Sequence, residues 1–136
     1  MKRIISFVLV VVVIFSLVSV SFADSTSYSL TNKYVHGSDG QPVKEDQTRN
    51  EPNTLDFKAT NIVWRTGMSD ADKMPRFSGH YAGTSTKCTY VKDIVLNRYK
   101  KATYTGGSIG TQVDVFMSIA SSSLSDYMYI SGYGLI

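Results

Sequence analysis

One cysteine, two histidines, three prolines and a single tryptophan in 136 residues exclude several common chemistries at the outset. With Cys88 alone, no intramolecular disulfide can form. Stability must then come from packing, a metal or self-association. Metal-ligand spacings are also missing: there is no His-x-x-x-His, no Cys-x-x-Cys and no EF-hand loop. Asp39, Asp70 and Asp72 stand in turn-like segments and could offer oxygens to Ca²⁺. That ion wants six to eight ligands, so these acids are read as solvated and no metal or cofactor is expected.

Catalytic frameworks are equally sparse. No Gly-x-Ser-x-Gly elbow is present. His36-Gly37-Ser38-Asp39-Gly40 brings triad residue types together, but only in sequence, whereas a triad is defined in space. An enzyme would have to use His36 or His80. The only glutamates, Glu45 and Glu51, share one polar segment, which leaves no separated pair for glycoside hydrolysis. Gly106-Gly107-Ser108-Ile109-Gly110 lacks the Lys-Ser/Thr that completes a phosphate-binding loop. The expectation is a non-enzymatic protein.

The N-terminus carries the plainest positive signal. Met1-Lys2-Arg3 precedes an apolar run from Ile4 to Val20, and Ser21-Phe22-Ala23 ends it with small residues at the −3 and −1 positions. A basic head, an apolar body and a small-x-small exit describe a secretory signal peptide, residues 1–23, cleaved after Ala23. A retained anchor is the rival reading, on the length of the run. No Lys or Arg follows until Lys33, so a stop-transfer flank is missing. The expected protein is therefore secreted and extracellular, with no stable membrane span after cleavage. Absent cystines and Asn-x-Ser/Thr sequons suggest a bacterial source.

Without Lys2 and Arg3, the 14 basic residues fall to 12 against 11 acids, a net charge of +1. No Lys/Arg cluster marks a nucleic-acid surface, so nucleic acid is not an expected partner.

Residues 24–136 fit one domain, long enough to bury a core without covalent help. The stretch from Asn53 to Thr66 anchors it. Leu55, Phe57 and Ala59 alternate with Asp56, Lys58 and Thr60, the period of a strand with one dry face. Ile62 and Trp64 fall on the other parity. A bulge at Thr60-Asn61 would bring all five to the same side. Strands are also predicted over 25–34, with Tyr28, Leu30 and Tyr34 on one side, and over 77–82, 86–90, 112–119 and 126–136. Val91 to Lys101 is read as strand in preference to helix, for want of an N-cap. Residues 36–52, whose only aliphatic side chain is Val43, are expected to be a polar flexible loop. Six to eight short strands and no long helix give an all-β fold, a single antiparallel β-sandwich or jelly-roll-like domain.

Aromatics are the remaining feature. Nine Tyr, six Phe and Trp64 make up 12% of the chain. Tyr127, Tyr129 and Tyr133 share one strand parity, opposite Met128, Ile130 and Ile136. Two apolar faces suggest a central strand covered on both sides, with the tyrosines paving a core. If they face outward, they and Trp64 are the candidate binding residues, since flat rings stack on sugars or anchor proteins. The functional expectation is an extracellular binding or interaction module for a cell-surface, polysaccharide or protein partner. A secreted effector, such as a bacteriocin-like toxin or a protein inhibitor, is the alternative.

Overall fold

The computed structural model describes residues 27–136; the leader, with its expected cleavage point after Ala23, lies outside the described residues. Eight strands follow in order: β1 Ser27–His36, β2 Gln41–Thr48, β3 Thr54–Trp64, β4 Arg76–Tyr81, β5 Lys92–Asp93, β6 Tyr99–Thr103, β7 Gln112–Ser118 and β8 Tyr127–Leu135. They form two four-stranded antiparallel sheets, β1-β8-β3-β6 and β2-β7-β4-β5. There is no helix among the described residues, hence none long and apolar enough to cross a membrane. The first strand pairs with the eighth, the second with the seventh, the third with the sixth and the fourth with the fifth. The connectivity is that of one long hairpin bent into two layers.

Leu30, Val35, Leu55, Phe57, Ala59, Met128 and Ile130 from the first sheet join Phe77, Val113, Val115 and Met117 from the second in one buried cluster. The rings of Phe57 and Phe77 meet across it at 5.9 Å. Cys88 is buried in this core, where desolvation pushes its thiol above the ordinary range. At 1% exposure it packs as a small apolar core residue and is not presented to another chain.

The bulge expected in β3 is present. Pairing with β8 slips between Ala59 and Asn61, so Ala59 faces Gly132 and Ile62 faces Ile130. Leu55, Phe57 and Ala59 are fully buried, while Ile62 and Trp64 pack half-buried against the same core.

Three expectations are corrected. The first is the loop assigned to residues 36–52, which contains β2. Val43 is its one buried apolar side chain, and the ladder with β7 supplies what composition does not. The second is the shared side assigned to Tyr28, Leu30 and Tyr34. Asn32 adopts a left-handed φ of 48°, the β1–β8 register shifts between Leu30 and Lys33, and the parity reverses. Val35 goes into the core and Tyr34 to the outside. The third is the strand at 86–90 and the continuity of the one at 91–101, which is strand and not helix but is divided between β5 and β6. Residues 86–90 form only isolated bridges, His80 to Lys87 and Thr89 to Tyr104. Val91, Val95 and Leu96 are exposed, and strand resumes at Tyr99.

Candidate functional site

The tyrosines of β8 do not pave the core. Met128 and Ile130 point inward with Gly132 and Gly134, and the alternate residues Tyr127, Tyr129, Ser131 and Tyr133 occupy the outer face of the first sheet. Cross-strand pairing decides what they meet there. Tyr34 lies opposite Tyr129, His36 opposite Tyr127, Val63 opposite Tyr129 and Lys58 opposite both Tyr133 and Tyr99. Five tyrosines from three strands thus share a solvent-facing surface.

They fall into two groups. In the first, Tyr34 contacts His36, Tyr127 and Tyr129 at centroid separations of 5.4, 5.2 and 5.6 Å. Tyr127 and Tyr129 meet edge to face at 5.7 Å. In the second, Tyr99 and Tyr133 meet edge to face at 5.7 Å. The Lys58 ammonium sits 5.6 Å from one ring centroid and 5.9 Å from the other, within cation–π range. Side-chain hydrogen bonding between these two phenols holds Tyr133 below its ordinary value, helped by the Lys58 charge, and holds Tyr99 above it. Lys101 forms an ion pair with Asp56 at 3.2 Å, which offsets its charge and leaves Lys58 as the cation among the rings.

Tyr34, Tyr99 and Tyr133 are 42, 48 and 40% exposed, and Val63 stands open beside Tyr129. Mutual ring contact fixes the rotamers of the less exposed members, so the surface is ordered before any partner arrives. The rings are tilted by 39 to 81° within these groups, which makes a ridged surface rather than one flat plane.

Trp64 is placed elsewhere. It lies opposite Met128 on the inner side, half-buried against the core, and does not join the tyrosines. The sequence alone did not mark Tyr34, Tyr99 or Lys58 as binding residues, and it marked His36 only as a catalytic candidate. Asn32, an αL-tolerant residue in the middle of a predicted strand, was the available hint that Tyr34 turns outward.

His36 and His80 are separated. His36 belongs to the tyrosine surface; His80 is buried on the second sheet, stacked on Phe116 at 3.8 Å. Asp70 bonds Lys73 at 3.1 Å, and Asp72 bonds the Ser69 hydroxyl at 2.6 Å. No group of three or more His, Cys, Asp or Glu among the described residues could hold a metal ion. No protein-family model, no curated protein and no solved structure matches this chain.

Proposed function

We propose that this is an exported, non-enzymatic binding module with a jelly-roll fold, which holds an extended cell-surface polysaccharide on the tyrosine surface of its first sheet. The observation that carries this reading is the outward placement of Tyr34, Tyr99, Tyr127, Tyr129 and Tyr133, on a fold whose core is built from other residues. Aromatic rings cost free energy in water, and a cluster of them held on a sheet face marks an interaction surface. Tyrosine suits a hydrated partner, because the ring covers a sugar face while the hydroxyl remains wet. A sheet face offers no enclosure for a small molecule, whereas an extended chain can lie along it. Lys58 adds positive charge where a carboxylated or phosphorylated glycan would gain from it.

The strand order supports the jelly-roll reading, since pairing first with eighth through fourth with fifth is what rolling one long hairpin produces. Export rests on the N-terminal sequence pattern alone.

Sedimentation with purified cell-wall polysaccharide tests the reading. Wild type should be retained, and the double variant Tyr34→Ala/Tyr129→Ala should bind roughly 30-fold more weakly, from about 1 kcal/mol per ring. Both rings lie outside the core, so circular dichroism should show the same fold. Failure of wild type to sediment with any cell-wall polymer, anionic or neutral, would sink the proposal. Trp64→Phe serves as the contrast, because its inward position predicts unchanged retention.

A further inference from the structure

On the outer face of the second sheet, Ser78 and His80 stand two residues apart on β4 and so point the same way. Across the ladder, Ser78 lies opposite Phe116 and His80 opposite Asp114. Both are buried, at 6 and 4% exposure, and the Ser78 Oγ is 3.1 Å from His80 Nε2. Phe116 stacks on the imidazole at an interplanar angle of 7° and fixes the plane of the ring. The chain after β4 doubles back beside it, with Tyr81 N donating to the Thr86 carbonyl and Gly83 N to Asp114 Oδ2. This return brings Lys87 opposite His80.

Three physical features set this pair apart from an ordinary strand contact. Burial and the Lys87 charge hold the imidazole below its ordinary pKa, so it is neutral at pH 7 and one ring nitrogen keeps its lone pair. Nδ1 has no hydrogen-bond partner among the described residues. In the tautomer that carries its proton on Nδ1, the Nε2 lone pair accepts from Ser78. Finally, Ser78 lines a partly open cavity of about 110 Å³ together with Arg76, Lys87, Asp39 and Gly40. The hydroxyl therefore has a neutral base beside it and borders a space lined by two cations and one carboxylate.

We propose that Ser78 is a nucleophile activated by His80, which accepts the acyl group of short-chain esters in this cavity. Ser78 Oγ attacks the ester carbonyl carbon while its proton passes to His80 Nε2. The cavity lining sets Arg76 and Lys87 against Asp39, a net positive charge that favours the resulting oxyanion. Collapse of that intermediate breaks the bond to the leaving alkoxide, which takes the proton back from His80 and departs as an alcohol. The product is an ester of Ser78, and no further reactant is needed. The cavity volume has room for an acetyl or propionyl group and not for a long acyl chain. Arg76 is also bound to Asp93 at 3.3 Å, which leaves Lys87 as the freer charge. This is a single stoichiometric acylation of Ser78 and not catalytic turnover; it is independent of the tyrosine surface, and either proposal can fail without the other.

The test is incubation of the folded protein with p-nitrophenyl acetate, followed by nitrophenolate release and peptide mass spectrometry. The expected result is a burst of up to one equivalent, with acetyl on the peptide that contains Ser78. Ser78→Ala should abolish the burst, and His80→Gln should slow it roughly 100-fold, the loss expected for a general base. Because His80→Gln removes a buried ring, wild type is also acetylated after unfolding in urea. An activated serine must lose its reactivity there. Acetyl found only on lysines or the N-terminus, a Ser78 adduct that forms as fast in urea, or an equal rate in a folded His80→Gln variant would each overturn the proposal.

Discussion

Gly134→Ala should destabilise the protein by about 3 kcal/mol or more, and Gly134→Val should leave it unfolded. The cause is a backbone approach, not a special dihedral. A Cβ at Gly134 would lie 1.9 Å from the Asp56 carbonyl oxygen and 2.6 Å from the Tyr28 hydroxyl. Two residues earlier, a Cβ at Gly132 would meet the Lys58 carbonyl at 2.3 Å and the Phe57 ring at 2.6 Å. The two glycines leave a channel along the inner side of β8 in which the rings of Tyr28 and Phe57 lie, at a centroid separation of 6.2 Å. Tyr28 then donates its hydroxyl to the Asp56 carbonyl at 2.9 Å, and its burial pushes the phenol well above its ordinary pKa. Since β8 is held between β1 and β3, it cannot move away from either clash without breaking the other ladder. Urea unfolding measures the loss, with Ser29→Ala on the exposed side of β1 as a control expected to stay within about 0.5 kcal/mol of wild type. A Gly134→Ala protein as stable as that control would mean the channel is not tightly packed.

These glycines also explain what the sequence could and could not reveal. In β3 the alternation of Leu55, Phe57 and Ala59 and its break at Thr60-Asn61 were legible, because one side of that strand faces the core and the other does not. In β8 the same alternation exists, but its outer residues are tyrosines and its inner set includes Gly132 and Gly134. Composition makes the outer side look more hydrophobic than the inner one. Only the aromatic rings contributed by β1 and β3 show which side is dry. The β2 strand was hidden for the opposite reason: Lys44, Glu45, Asp46 and Gln47 are polar because an edge strand has much of its surface in water. Its extended conformation is imposed by hydrogen bonds to β7, including Asp46 N to the Asp114 carboxylate at 2.8 Å. The candidate site depends on the same long-range information, since Tyr34, Tyr99 and Tyr129 converge only after the sheet has formed.

Arg49→Met should cost about 3 kcal/mol, although a buried charge is commonly a liability. Arg49 is 5% exposed, and its guanidinium lies 3.7 Å from the centroid of the Tyr104 ring. Among the described residues it has no acid as a direct ion-pair partner. Nε donates to the Glu51 carbonyl at 3.0 Å, one terminal nitrogen to the Gly106 carbonyl at 3.1 Å and the other to the Pro52 carbonyl. Its own backbone continues the tie, accepting from Gly110 N at 2.8 Å and donating to the Thr111 carbonyl at 2.9 Å. One side chain thus joins the β2–β3 connection to the β6–β7 connection and closes that end of the two sheets. Replacing a buried ion pair with apolar residues can be neutral, because both partners disappear together. Here the carbonyls would remain, and each would lose a charge-assisted bond worth about 1.5 to 3 kcal/mol. The open cavity beside Pro52 and Gly106 lets water replace part of that, which brings the expected loss down to the stated value. Arg49→Lys should fall between wild type and Arg49→Met, since one ammonium can reach a carbonyl but cannot stack on Tyr104 and span all three. Thermal unfolding should show the order Arg, Lys, Met, with the methionine variant lowered by about 10 °C or more. An inverted order, with methionine the most stable, would mean that desolvating the guanidinium outweighs its carbonyl contacts and that the two connections are held by backbone bonds alone.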